Sequence, residues 1–139
     1  PDINITTDLI VGFPTETEED FLESYNNASK IRFGKIHVFP YSKRDGTVAA
    51  KMKSVLSDSE KKDRTHKMIE LSNKLENEYY NKFLGKILNV LVEEVFDEYS
   101  VGHTDNYIRV IINSRLEHNK DYNIKIIKID GTNVYGKVE

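Results

Sequence analysis

Cysteine is absent from the 139 residues. Its absence excludes disulfides, thiolate zinc sites and cysteine nucleophiles within this chain. No apolar run approaches the roughly 20 residues that a membrane helix needs, and no signal-peptide pattern is read at the start. The expected place of action is therefore the cytoplasm. A surplus of positive charge is missing too. The net charge is −3 and the isoelectric point is near 5.9, so any contact with RNA has to come from a local patch. His37, His66, His103 and His118 are scattered without metal-ligand spacing, and no metal site is expected. No Ser-His-Asp order, P-loop or dinucleotide fingerprint is present.

What is there organises itself around residues 36–52. Ile36-His37-Val38-Phe39 reads as a short strand that stops at Pro40 and opens into a loop carrying Lys43, Arg44, Lys51 and Lys53 against one acid, Asp45. A strand that delivers its C-terminal end into a cationic loop is a common way for an α/β scaffold to present a binding surface. Lys43 and Arg44, with a backbone N–H at Gly46-Thr47, have the chemistry to grip phosphate, and a merely solvated loop is the other reading.

Upstream, Ile3 to Val11 is rich in β-branched residues. Its apolar run Leu9-Ile10-Val11 predicts a strand covered on both faces. Gly12-Phe13-Pro14 ends it. Glycine there, with Glu16 beyond, suits either a ligand approaching the backbone or a tight strand-to-helix turn. Thr17 and Asp20 predict a capping box. Phe21, Tyr25, Ala28 and Ile31 continue at helical spacing as an inward stripe, and Phe33-Gly34 should end the helix. Strand, helix, strand makes one βαβ unit, which cannot bury both faces of its own sheet. With no initiating methionine, the chain is read as a piece of a longer protein.

Ser57-Asp58-Ser59-Glu60 is a second capping box. Met68, Leu71, Leu75, Tyr79 and Phe83 then mark one face of a long connecting helix. After Gly85 the period changes. Five short apolar segments beginning near Ile87, Tyr99, Tyr107, Tyr122 and Val134 predict a small antiparallel barrel. In Ile124 to Ile129 lysines alternate with apolar residues apart from one Ile-Ile break, which predicts one cationic face. Tyr99, Tyr107, Tyr122 and Tyr135, with Arg109, Arg115, Lys125 and Lys128, suit either a stacking platform for RNA or a core with a solvated rim. Acids slightly outnumber bases from Gly85 onward.

Taken together these motifs resemble a known family. Thr6 to Phe21, around Asp8-Leu9-Ile10-Val11-Gly12-Phe13-Pro14, is similar to the late-strand signature of the radical S-adenosylmethionine methylthiotransferases. His37-Val38-Phe39-Pro40-Tyr41-Ser42-Lys43-Arg44, with Gly46-Thr47 after it, resembles the branch that modifies threonylcarbamoyladenosine in tRNA. Gly85 to Glu139, with Gly102-His103-Thr104-Asp105-Asn106-Tyr107-Ile108-Arg109-Val110, resembles the TRAM domain, a small RNA-binding barrel. The chain departs from the pattern at Thr15, where glycine is usual, and at Asp45 and Val48, where prolines are frequent; both bear on loop shape.

The resemblance implies an α/β plus all-β chain. Residues 1–56 would be the C-terminal βαβ portion of a TIM-like radical-SAM barrel, 57–84 a connecting helix, and 85–139 a five-stranded, OB-like TRAM domain. It implies S-adenosylmethionine and iron–sulfur clusters (4Fe-4S) in the full-length protein, held by cysteines outside this chain. None is expected bound here, and the chain alone is expected to be inactive. Asp8, Gly12, Phe13, Phe39, Pro40 and Tyr41 would lie near the cofactor, at the strand ends where barrel sites sit. Lys43, Arg44, Tyr107, Arg109, Lys125 and Lys128 would face the tRNA anticodon arm. Exposed strand edges would favour self-association. The isopentenyladenosine branch, the ribosomal-protein branch and a non-catalytic RNA-binding module remain as alternatives.

Overall fold

A computed structural model describes residues 3–139. Pro1 and Asp2, at the head of the first expected segment, lie outside the described residues. The chain divides by internal contacts into two compact units: residues 5–75, and residues 76–139 with Ile3 and Asn4.

In the first unit, β1 (Thr6–Val11) and β2 (Lys35–Pro40) pair in parallel, with Asp8 opposite His37, Ile10 opposite Phe39 and Val11 opposite Pro40. Between them runs α1 (Glu18–Ile31). Its capping box is complete: Thr17 Oγ1 accepts from the Asp20 N–H, and Asp20 accepts from the Thr17 N–H, both at 3.1 Å. Val11, Phe21, Ala28 and Ile36 form one core with Met68, Leu71 and Leu75 of α2 (Asp58–Asn81).

Three expectations are corrected here. β1 is covered on one face only: Ile10 is 60% exposed, because both helices pack on the side of Leu9 and Val11. Ile31 is exposed as well, since it lies about 80° round the helix from the Phe21 direction at 100° per residue. The helix ends at Arg32, a left-handed residue (φ 58°) whose N–H reaches Ala28 O, two positions before the glycine. Ser57 caps α2 as expected, its Oγ accepting from the Glu60 N–H at 3.1 Å.

In the second unit, Gly85 (φ +82°) ends the turn after α2. Then come β3 (Ile87–Val95), β4 (Ser100–Thr104), β5 (Arg109–Ile112), β6 (Asp121–Asp130) and β7 (Asn133–Val138). They close a barrel in the order β3-β4-β5-β7-β6. The barrel is not wholly antiparallel. β5 and β7 run parallel, with Ile111 opposite Tyr135. Five strands cannot alternate direction all the way round a ring, so one seam has to be parallel. Val90, Val92, Ile108, Val110, Ile112, Ile124, Ile126 and Val134 fill the interior, joined by Tyr79, Tyr80 and Phe83.

The Ile-Ile break in β6 is a bulge. Ile126 pairs with Gly136 and Lys128 with Tyr135, leaving Ile127 as the extra, exposed residue. An unbroken strand would put Lys125 and Lys128 on opposite faces; the bulge puts both outside.

Candidate functional sites: a strand-end cleft and a basic barrel face

Parallel pairing brings the C-terminal ends of β1 and β2 to one edge of the sheet. The Tyr41 N–H donates to Val11 O at 2.7 Å, and Phe13 meets Tyr41 edge-on with ring centroids 5.5 Å apart. A cleft of about 660 Å³ opens there, lined by Asp8, Ile10, Phe39, Pro40, Tyr41 and Arg44, together with the loop beyond. Four of the six residues expected near a cofactor therefore share one wall, and Arg44 joins them. Gly12 and Phe13 do not line the cleft; they form the turn behind it.

That turn is braced from α2. Gly12 (φ +90°) lies against the Lys61 stem so closely that a Cβ would sit 2.3 Å from Lys61 Cγ. Lys61 Nζ donates to Tyr41 O at 3.3 Å, while the Gly12 N–H donates to Glu16 Oε2 at 3.1 Å. Arg64 is 5% exposed and donates from Nη1 to Glu16 Oε1 (3.1 Å) and to Glu16 O (3.3 Å). Its Nη2 pairs with Glu18 at 3.1 Å, and its guanidinium lies over the Phe21 ring. Glu16 thus braces the turn rather than projecting into the cleft. Sequence reasoning missed Lys61 and Arg64. The signal for Arg64 was present: extending the Met68-Leu71-Leu75 stripe one turn upstream lands on it.

The basic loop is largely self-bonded. Thr47 Oγ1 donates to Arg44 O at 2.7 Å and accepts from the Ala50 N–H at 3.2 Å, and the Thr47 N–H turns to Arg44 O. Of the Gly46-Thr47 pair, then, the Thr47 N–H is already taken and is not an open phosphate donor. Lys43 and Arg44 remain exposed.

On the barrel, Ile124, Ile126, Val134 and Gly136 face inward, so Lys125, Lys137 and Tyr135 face outward. Lys125 is opposite Lys137, and Lys128 lies over the Tyr135 ring at 5.7 Å. Arg109 stands on the neighbouring β5, two residues before Ile111, the partner of Tyr135. Like charges facing each other across a ladder are unfavourable unless something anionic lies over them. Arg109, Lys125 and Lys128 thus lie on the outer side of adjoining strands, spread along the ladder, and the structure adds Lys137, which the sequence reading did not single out. Of the two readings of the barrel tyrosines, a joint stacking platform is not assembled. Tyr135 is covered by Lys128, the Tyr122 hydroxyl accepts from the Glu117 N–H, and Tyr99 stacks on Phe96. Tyr107 stands apart, 79% exposed. Arg115 pairs with Asp97 at 3.5 Å.

Among the described residues no cluster of His, Asp and Glu is arranged to hold a metal ion, and no helix is long and apolar enough to cross a membrane.

No family model matches the chain. Individual relatives do. Threonylcarbamoyladenosine tRNA methylthiotransferase MtaB of Bacillus subtilis is 41% identical over 134 residues, covering 93% of this chain and 29% of the relative. A tRNA-2-methylthio-N(6)-dimethylallyladenosine synthase of Acetivibrio thermocellus is 48% identical over 95 residues, 68% of this chain and 20% of its own length. Ribosomal protein uS12 methylthiotransferase RimO of Alkaliphilus oremlandii is 35% identical over 144 residues, 89% of this chain and 33% of its own. The chain spans a third or less of the length of these relatives. Matched along most of its length by proteins that share one chemistry, the chain belongs to the methylthiotransferase family.

Proposed function

We propose that this chain is the C-terminal part of a radical S-adenosylmethionine tRNA methylthiotransferase of the threonylcarbamoyladenosine branch. Residues 1–56 are read as the end of the radical-SAM barrel, 57–84 as the connecting helix and 85–139 as the TRAM domain. The observation that carries the reading is the 41% identity across 134 residues to a relative named for that tRNA nucleoside.

The cleft supports it. A nucleoside needs an apolar wall for its base and polar groups for its ribose, and Ile10 and Phe39 supply the first while Asp8 supplies an acceptor. S-adenosylmethionine, cleaved at one iron–sulfur cluster, would supply the radical and the methyl group, and a second cluster would support insertion of the sulfur. Within this chain Asp8, Phe39, Pro40 and Tyr41 orient the cofactor, and Gly12 and Phe13 shape the turn behind them. With no cysteine among the 139 residues, the iron ligands come from elsewhere in the full-length protein. Lys43, Arg44, Tyr107, Arg109, Lys125 and Lys128 grip the tRNA anticodon arm, and the setting is cytoplasmic. The open edges of β1 and β2 favour pairing with a second copy.

The test is deletion of the encoding gene followed by analysis of tRNA nucleosides. The methylthio form of threonylcarbamoyladenosine disappears and returns with the full-length gene. Loss of the methylthio group from the dimethylallyl-type adenosine, or from ribosomal protein uS12, would replace this reading with one of the other two branches.

A further inference from the structure

Tyr107 sits at the tip between β4 and β5 with φ +62°. That left-handed conformation favours glycine, and a bulky residue occupies it only under strain held by its surroundings. The surroundings are built for the purpose. The Tyr107 N–H donates to Thr104 O, and the Thr104 N–H to Ile108 O, both at 3.0 Å. Thr104 Oγ1 accepts from the Ile108 N–H at 3.0 Å and donates to Asn106 Oδ1, whose Nδ2 in turn donates to the Tyr79 hydroxyl at 3.0 Å. Thr104 and Ile108 are buried, whereas Tyr107 is 79% exposed. A partly buried hydrogen-bond network therefore holds one exposed aromatic residue at a position where glycine would be strain-free.

Charge decides what such a ring can meet. The cleft beside it, about 510 Å³, is lined by Leu91, Glu93, His103, Thr104, Asp105 and Tyr107. That lining offers no lysine or arginine to phosphate: Glu93 is engaged by His103 Nδ1 and Asp105 stands exposed beside it, so the tip suits a base and not the backbone. Cations for the backbone lie elsewhere on the barrel, at Arg109, Lys125, Lys128 and Lys137. We infer that Tyr107 is a stacking post for one unpaired nucleobase, held out by the Thr104–Asn106–Tyr79 network, while the lysines of the barrel take phosphates further along the same RNA. The inference rests on the RNA-binding reading above and adds which group meets the base.

The test uses the 139-residue chain with a synthetic anticodon stem-loop, measured by fluorescence anisotropy over a range of salt. Tyr107→Gly is expected to weaken binding roughly ten- to hundredfold, leave the salt slope unchanged, and melt no lower than the parent because its strain is relieved. Tyr107→Phe binds as the parent does. Lys125→Ala keeps the stacking but lowers the salt slope by about one. Should the parent bind the stem-loop while Tyr107→Gly binds it within twofold, or Tyr107→Phe be as weak as Tyr107→Gly, the stacking post is overturned. Should the parent bind no RNA, the RNA reading itself falls. Loss of uS12 binding with RNA binding intact would assign the tip to a protein partner and overturn the inference.

Discussion

Tyr80 shows how one buried hydroxyl ties stability to pH. Its phenol donates to Glu76 Oε1 at 2.6 Å, with both residues under a tenth exposed. Burial first, and then the Glu76 carboxylate, push the phenol well above the ordinary tyrosine range, since both penalise a phenolate. A group whose pKa is raised on folding contributes stability below its unfolded pKa and loses it as pH rises. Tyr80's contribution to the melting temperature should hold level up to about pH 10, the usual tyrosine value, and decline above it. In Tyr80→Phe that part of the alkaline decline disappears, and the neutral-pH melting temperature drops because Glu76 loses its donor. Melting curves from pH 8 to 12 on the two proteins check this; identical alkaline slopes would refute it.

At the scale of elements, the Arg64 brace joins α2 to the turn between β1 and α1. Arg64→Met keeps much of the stem but leaves Glu16 without its buried cation, an imbalance that costs about 3 kcal/mol in comparable pairs. Urea unfolding should show a loss of that order; one below about 0.5 kcal/mol would mean that Glu16 finds water readily. The same brace marks where sequence reading stops. Helices, their N-terminal caps and the change of period at Gly85 were legible because each rests on neighbours within a turn or two. Met68, Leu71, Leu75, Tyr79 and Phe83 are all buried as their spacing predicted. The stripe could have shown that Arg64 turns inward, but that its partner is Glu16, 48 positions away, leaves no local trace. The cleft was half legible: strand ends located Asp8, Phe39, Pro40 and Tyr41, but spacing could not tell Gly12 behind the wall from Tyr41 on it. The tyrosines were the least legible, because period alone does not say that Lys128 covers Tyr135 and nothing covers Tyr107 to the same degree.

For the whole molecule the telling feature is that one helix serves two cores. The first part of α2 gives Met68, Leu71 and Leu75 to one hydrophobic cluster; its last turns and the turn after them give Tyr79, Tyr80 and Phe83 to the other. A helix is cooperative along its length, since nucleating a turn is far costlier than extending one. Order in either cluster therefore lowers the cost of order in its neighbour. Calorimetry should show a single transition in the parent chain and two after insertion of Gly-Gly between Leu75 and Glu76; a parent that already melts in two steps would dispose of the idea. If the single transition holds, α2 acts as a shared thermodynamic ledger line. Wear inflicted on the first core, by heat, by a protease or by a poor substitution, registers as lost order in the barrel core without any signal passing through a ligand.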